Sequence, residues 1–467
     1  MITLQTLKEM QAALQAVLDE GAYLRDALSR VLRGRELSAA ERGWIRETLY
    51  RAVQLKNRYW TQLEAFTAEH PGKDESVMDI RLIITSQQRE KRDLLAVDRH
   101  VQALLRPKSR VRKFVEFLDA HPPGRLFPPM KQNPLEHLWR FHSHPLWLVR
   151  KWLGSLSPEE VLKLCRFNNG SPEAVLRVNP LKNSRDELLA RLAESGARCT
   201  PDPVAPLAIR ADHRFDPLTQ PGYREGRFTL QSVSSQLVCL YVNPKPGQRV
   251  LDYCAGEGGK TLLLAHLMKG RGEVHAHDAQ GWRLRNLQLR ARREGVGNVR
   301  LGGLREIRAL AGRFDLVLLD VPCSGSGNLR HQPELRWKLQ PGDLNRFNRQ
   351  QLEILEEAAP LAAPGGLLAY VTCSLFREEN HKVVSRFLRT HPDWSLVKPA
   401  DHLARQHAKN FWLPADALKP FAGPDYFEVL PHRDNLPAMF CAIVKRESGH
   451  NTEDVARGWR LVPLSCS

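Results

Sequence analysis

Apolar positions recur at helical spacing through the first part of the chain. Leu4, Leu7, Met10, Leu14, Val17 and Leu18 form one stripe, and Leu24, Leu28 and Leu32 form a second. That period lays apolar side chains along one face of an α-helix. Ser38-Ala-Ala-Glu41 is a capping box, in which serine and glutamate each satisfy an N–H left free at a helix start. The helix it opens carries Trp44, Ile45, Leu49 and Val53. Strand-like runs are scarce over residues 1–130, so this segment reads as a small all-α bundle.

Prolines punctuate the next stretch, from His121-Pro-Pro-Gly to Phe127-Pro-Pro, and end or link the bundle. Residues 140–225 are mixed. Ser157-Pro-Glu-Glu160 starts a helix with proline in its first turn. Ala174–Val178 reads as a strand. Ser184-Arg-Asp-Glu187 caps a further helix that stops at Gly196. The alternation predicts a small α+β module. Arg177 and Asn179 lie beside the strand end, where ligand contact and plain surface exposure fit equally well.

From 226 to 447 short, strongly apolar runs alternate with helical patterns. Arg249–Leu251, Leu316–Leu319 and Leu367–Val371 read as strands of a parallel sheet with helices on its faces. Phe427–Leu430 and Ala438–Lys445 read as closing antiparallel strands. The tail, 448–467, has no strong pattern.

Each of the three parallel runs leads into chemistry. The first opens Asp252-Tyr-Cys-Ala-Gly-Glu-Gly-Gly-Lys260, the second Asp320-Val-Pro-Cys-Ser-Gly-Ser-Gly327, and the third Tyr370-Val-Thr-Cys-Ser374. Ligands of open α/β sheets sit outside the carboxyl ends of the strands. Two thiols, two acids and a glycine turn should therefore converge on one crevice. The glycine turn is not a P-loop, because Cys254 stands where the first glycine is required. Nor is it a dinucleotide fingerprint, because Lys260-Thr-Leu follows Gly258-Gly259. What remains is a turn through Cys254, Ala255, Gly256, Glu257, Gly258 and Gly259 that feeds a helix at Lys260. Its N–H groups can face a ligand carboxylate. Asp278, after the next strand, can accept from both hydroxyls of a ribose. A carboxylate and a ribose without a phosphate describe S-adenosylmethionine. Cys323 and Cys373 each sit just past a strand and precede a serine, where a thiolate can be activated.

Composition adds a partner and a compartment. The net charge of +17 calls for a polyanion, most simply nucleic acid. None of the eight cysteines forms a C-x-x-C pair, so neither a zinc site nor another metal centre is expected. No apolar run has the length of a signal-peptide core or a bilayer span. A cytoplasmic chain with reduced thiols is the expectation.

The motifs resemble those of the Sun/RsmB family of RNA cytosine-C5 methyltransferases. Leu251–Thr261 is similar to that family's cofactor motif. Asp320–Gly327 with Arg336-Trp337 is similar to its first cysteine motif, and Thr372–Asn380 to its second. Residues 1–130 resemble its NusB-like RNA-binding domain, and His142–Arg210, within 140–225, its small N1 module. The resemblance implies a Rossmann-like catalytic domain over 226–447. It also implies that Cys373 adds to cytosine C6, that Asp320 meets the cytosine edge, and that Cys323 assists removal of the C5 proton. Cofactor contacts would come from 254–260, Asp278, Arg283 and Asp320. Lys260, Arg283 and Arg330 are candidate phosphate or cofactor contacts. The implied product is 5-methylcytosine in 16S ribosomal RNA. Transfer RNA and an inactive RNA-binding assembly factor are the alternatives, while a nucleotide-dependent oxidoreductase lacks its glycine fingerprint. The chain departs from the family in four places. Gly256-Glu257 replaces Ala-Pro. Val299–Leu304 lacks the acid expected near adenine. Ser232 replaces an acid. Leu436–Phe440 replaces an Asp-Gly-Phe-Phe segment. Both thiols remain, so the chemistry is expected to survive.

Overall fold

The computed structural model describes residues 1–71, 78–91, 94–106, 108–212, 215–407 and 416–448; all of the expected tail but its first residue lies outside them. The chain forms two compact units. One contains Met1–Ser171, Asn328–Pro341 and Pro431–Arg433; the other contains Pro172–Gly327, Gly342–Leu430 and Asp434 onward.

The described residues of the first unit are helical wherever they form regular structure. Leu4–Leu18, Ala39–Gln54, Lys56–Glu69 and Ile80–Glu90 turn their apolar stripes onto one core, where Met10, Ile45, Leu49, Phe66 and Ile83 are buried. The Ser38 and Ser157 capping boxes both form. The segment Asn328–Pro341 belongs to this unit although it follows the first thiol motif in sequence. Its Arg336 is fully buried among oxygens of residues 54, 143, 168, 169 and 329. Arg330, expected near phosphate or cofactor, donates to Ser171 O at 2.7 Å and lies over the Phe167 ring.

The second unit holds two sheets. β1 (Ala174–Val178), β2 (Cys199–Pro201), β3 (Ala208–Ala211) and β4 (Phe228–Leu230) form an antiparallel sheet in the order β2-β3-β1-β4. β5 (Arg249–Asp252), β6 (Glu273–Ala276), β7 (Val299–Leu301), β8 (Phe314–Asp320), β9 (Ala362–Thr372), β10 (Trp394–Val397), β11 (Phe427–Val429) and β12 (Met439–Arg446) form the central sheet. Its order is β10-β12-β9-β8-β5-β6-β7, with β11 on β12. β5 to β9 pair in parallel, and β12 runs antiparallel between β9 and β10.

The strand sequences explain why both faces are covered. Val250, Leu316, Leu318, Ala369 and Val371 enter one buried cluster with Leu237, Leu240, Leu263 and Leu264. Their strand neighbours Leu251, Val317, Leu319, Leu368 and Tyr370 enter another with Leu352, Leu355, Val384 and Phe387. Successive strand residues point to opposite faces, so a strand apolar at every position needs helices on both. The chain moves outward from β5 through β6 to β7, then crosses back to β8 on the other side of β5. That reversal opens a crevice at the carboxyl ends of β5 and β8.

Arg177 and Asn179 are buried structural groups, so neither the ligand contact nor the surface exposure expected of them holds. The Arg177 guanidinium is fully buried and donates to Glu294 Oε2 at 2.9 Å, Gln231 Oε1 at 2.8 Å and Gly259 O. Asn179 Nδ2 donates to Gly226 O at 2.8 Å and Glu294 O at 2.7 Å. A buried charge requires such partners, so the pair fastens β1 to the end of helix Gly281–Glu294 and the start of helix Gly259–Leu267.

Candidate active site

The glycine turn after β5 is shaped by its backbone. Gly258 has φ +82°, and a Cβ there would lie 2.0 Å from Leu287 Cδ1, so both conformation and packing demand glycine. Gly256 has φ +54°, but a Cβ there would meet nothing within 4 Å, so its side of the turn is open. Ala255 N–H donates to His277 O at 2.8 Å, and Gly256 N–H donates to Asp278 Oδ2 at 2.9 Å. The other Asp278 oxygen accepts from Gln280 N–H at 2.8 Å. The turn and the acid after β6 are therefore one assembly. Arg283 lies 3.7 Å from Asp278. The Glu257 carboxylate is exposed and faces Asn286 Nδ2 at 3.4 Å, on helix Gly281–Glu294.

This assembly fits S-adenosylmethionine. The first N–H groups of helix Gly259–Leu267 have no carbonyl one turn back within the helix, which suits a carboxylate. Asp278 retains lone pairs for ribose hydroxyls beside the open flank of Gly256. No acid directly follows β7, but Glu306 folds back and its Oε2 accepts from Gly303 N–H at 2.8 Å. A carboxylate therefore does stand at that strand end. Its sequence signal is the Glu three residues after a helix-start glycine, the spacing of a capping box.

Three more polar groups, Lys260, Asp320 and Asp252, lie at the ends of β5 and β8 and at the start of helix Gly259–Leu267. Lys260 Nζ and Asp320 Oδ2 are 2.5 Å apart, with side chains 10% and 34% exposed. Burial works against the Lys260 charge, but Asp320 and its other neighbours outweigh it and hold the ammonium above its usual range. Asp252 is fully buried. One oxygen accepts from Thr261 Oγ1 at 2.7 Å; the other has no partner among the described residues. Burial pushes Asp252 up to about 7; the Thr261 hydrogen bond opposes this, Asp320 adds to it, Lys260 opposes and Asp278 adds. An aspartate raised in this way adds stability that is complete below about pH 4 and lost as pH rises through about 7. Wild-type protein is expected to lose about 2–3 kcal/mol more stability than Asp252→Asn between pH 5 and pH 8. Urea denaturation of both proteins at the two pH values measures it; parallel pH profiles would refute it.

The thiols meet at the ends of β8 and β9. These strands pair with Asp320 opposite Val371, so Cys323 and Cys373 leave the sheet side by side. Their sulfurs are 3.3 Å apart. Gly327 N–H donates to Cys373 O at 2.9 Å, and a Cβ on Gly327 would lie 2.6 Å from that oxygen and 2.1 Å from Ala438 Cβ. The Cys323 thiol is pushed well up, first by its hydrogen bond to Cys373, then by burial and by the charges of Cys373 and Glu379. Gly325 N–H works the other way. Elsewhere burial alone dominates: it pushes Cys239 up to about 12 and raises Cys165 and Cys441 further. Burial, then the charges of Asp252, Asp320, Asp278 and Glu357, pushes Cys254 well up, which makes it a poor nucleophile. Among the described residues, no cluster of His, Cys, Asp and Glu could hold a metal ion, and no helix is long and apolar enough to cross a membrane.

The family described as "16S rRNA methyltransferase RsmB/F" matches residues 239–445, and a ferredoxin-like domain of RsmF/B-like methyltransferases matches 144–216. A probable ribosomal RNA small subunit methyltransferase B of Synechocystis is 37% identical over 310 residues, covering 65% of this chain and 67% of the relative. The Bacillus subtilis protein of the same description is 29% identical over 442 residues, covering 91% and 95%. The crystal structure of PH0851 covers 94% of this chain and 99% of its own, with TM-score 0.70 and 25% identity. A methyltransferase homolog from Pyrococcus horikoshii covers 67% and 98%, with TM-score 0.54 and 27% identity. The chain belongs to the RsmB/F family of S-adenosylmethionine-dependent methyltransferases.

Proposed function

We propose that this chain forms 5-methylcytosine in small-subunit ribosomal RNA through a covalent adduct between Cys373 and cytosine C6. The observation that carries the reading is the contact of Cys323 with Cys373, one strand-end away from the Lys260–Asp320 pair. Cytosine C5 is a weak carbon nucleophile until a sulfur adds at C6. Cys373 adds as thiolate, and C5 gains enamine character. S-adenosylmethionine supplies the electrophilic methyl group. Asp320, steered by Lys260, meets the cytosine edge. With the Cys373 sulfur bound to carbon, its charge no longer opposes ionisation of Cys323. Cys323 then gives its own proton to solvent and takes the C5 proton, and the C6–S bond breaks to return Cys373 as thiolate. One proton leaves the site per methyl added, as replacing C5–H by C5–CH3 requires. The target base must be unstacked or single-stranded.

The relatives' descriptions favour the small ribosomal subunit over transfer RNA. In this reading residues 1–130 are the NusB-like RNA-binding domain, 140–225 the N1 module and 226–447 the catalytic domain, working in the cytoplasm. Bisulfite sequencing of RNA from cells with and without the gene tests the substrate. The expected result is loss of a 5-methylcytosine from small-subunit ribosomal RNA. Loss from transfer RNA instead would move the substrate, and no loss from either would overturn the reading.

A further inference from the structure

One buried carboxylate touches both thiol turns and takes no part in the chemistry described so far. Glu379 is fully buried. Its Oε1 accepts from Ser324 N–H at 2.8 Å, the peptide directly after Cys323. Its Oε2 accepts from Ser374 Oγ, the side chain directly after Cys373. Gln351 Nε2, from helix Asp343–Ala358, donates to Glu379 Oε1 at 3.0 Å and to Pro322 O at 2.9 Å. Three donors converge on the carboxylate, and it has no ion-pair partner among the described residues.

The serines extend the same link. The hydroxyls of Ser324, Ser326 and Ser374 lie 3.1 to 3.3 Å from one another. Ser326 Oγ also accepts from Leu375 N–H at 2.9 Å, and Ser374 Oγ from Phe376 N–H at 3.0 Å. All these groups are consumed within the link. We infer that Glu379 is a positioning residue of this site: it ties the turn bearing Cys323 to the turn bearing Cys373 and decides which sulfur donates the proton they share.

The groups facing Cys323 are the Cys373 sulfur, the Gly325 N–H, Glu379 and Tyr370, a β9 residue whose hydroxyl donates to Glu379 O at 2.6 Å. Of these, Gly325 N–H favours a thiolate at Cys323, while Glu379 and Cys373 oppose it. Glu379 accepts from the peptide N–H directly after Cys323 but reaches the Cys373 turn only through the Ser374 hydroxyl, so its charge bears on Cys323. A negative charge beside one of two touching thiols biases the proton toward that sulfur. The hydrogen bond then runs from the Cys323 S–H to Cys373, which stands ready to add to carbon. Without the carboxylate, Ser324 N–H and the Ser374 hydroxyl lose their shared acceptor, and the bias disappears with it.

The assignment of roles rests on the proposed methylation, so the test has a readout that needs no RNA. Initial rates of iodoacetamide alkylation at Cys323 and Cys373 are followed by peptide mass spectrometry from pH 6 to pH 9 in the full chain. Methyl transfer is measured in parallel by single turnover on unmodified small-subunit ribosomal RNA. In wild type, Cys373 should react about tenfold or more faster than Cys323 at neutral pH, because the thiolate is the nucleophile. Glu379→Gln should bring the two rates within about threefold and lower methyl transfer about 100-fold, the scale of a small misplacement of reacting groups. S-adenosylmethionine affinity should stay within twofold. Glu379→Asp keeps the charge and shortens the tether: the alkylation preference should persist while transfer slows about tenfold. A wild-type alkylation preference in Glu379→Gln would overturn the inference, even with transfer lost. Should that variant not fold, Glu379→Asp decides, and unchanged transfer overturns. The expected alkylation pattern with no methylation of any RNA would leave Glu379 as assigned and remove the methylation reading instead.

Discussion

Cys373→Ser is expected to abolish methyl transfer, by about 10⁴-fold or more, the scale seen when a covalent nucleophile is removed. A serine hydroxyl in the same place is far less ionised than a thiol and cannot add to C6 at useful rates. Cys323→Ala should behave differently. In the proposed mechanism it leaves the nucleophile in place and removes the group that takes the C5 proton, so the chain should accumulate as a protein–RNA adduct. Under that mechanism the two sulfurs, 3.3 Å apart, act on one substrate carbon–carbon bond, which is why one mutation should silence and the other trap. Denaturing gels of each variant expressed in its own cells read the outcome, and sequencing of the attached RNA identifies the base. An adduct in Cys323→Ala that vanishes in the double variant fixes both roles. An adduct in Cys373→Ser instead would exchange them. No adduct and full transfer in either variant would remove the covalent mechanism.

The parallel strands and their motifs were legible because covered strands are apolar at every position, and chemistry follows their carboxyl ends. β8 and β9 illustrate this: two runs about fifty residues apart in sequence become neighbours in register, and their thiols meet. Convergence of the thiols on one crevice was legible, but the direct pairing of β8 with β9 was not, since no local pattern gives the sheet order. Arg177 shows the opposite limit. A basic residue at a strand end suits a ligand contact equally well until Glu294, 117 positions later, is seen beside it. Glu379 was visible only as a letter in a motif; its role depends on Ser324, 55 positions earlier. Glu306 is not visible in the sequence as an acid of that strand end, because it lies one helical turn further on and only the fold brings its side chain back to Gly303. These gaps share a cause. Periodicity reports burial and direction, while long-range polar pairing is set by the assembled fold.

Arg336 supplies the largest stability prediction. Its guanidinium is fully buried in the helical unit, and burial pulls it down to about 10 despite the opposing influence of Cys165, Tyr50 and Glu334. Among the described residues no carboxylate bonds it. Instead Nη1 donates to Gln54 O and Ser143 O at 3.2 Å and to Asn169 Oδ1 at 2.8 Å, while Nη2 donates to Asn168 O at 3.1 Å and Leu329 O at 3.3 Å. These oxygens belong to four separate parts of the unit: the end of helix Ala39–Gln54, the bend at Ser143, the end of helix Pro158–Asn168 and the segment from Asn328. Trp337 adds a bond to Val53 O at 2.7 Å. Arg336→Met fills similar space but removes the guanidinium donor from all five oxygens; Asn168 O keeps Gln54 Nε2 at 3.0 Å, and the loss at the others costs about 4–6 kcal/mol once partial relaxation is allowed. A melting temperature lower by about 10–20 °C should follow. Arg336→Lys should recover only part of this, because one ammonium cannot reach oxygens on both sides of a planar fork. Hydrogen exchange should locate the loss at residues 54–59 and 143–152, with β5 and β8 still protected. A variant within 1 kcal/mol of wild type would mean that water replaces the guanidinium at these carbonyls, and that the unit is held by its apolar core alone.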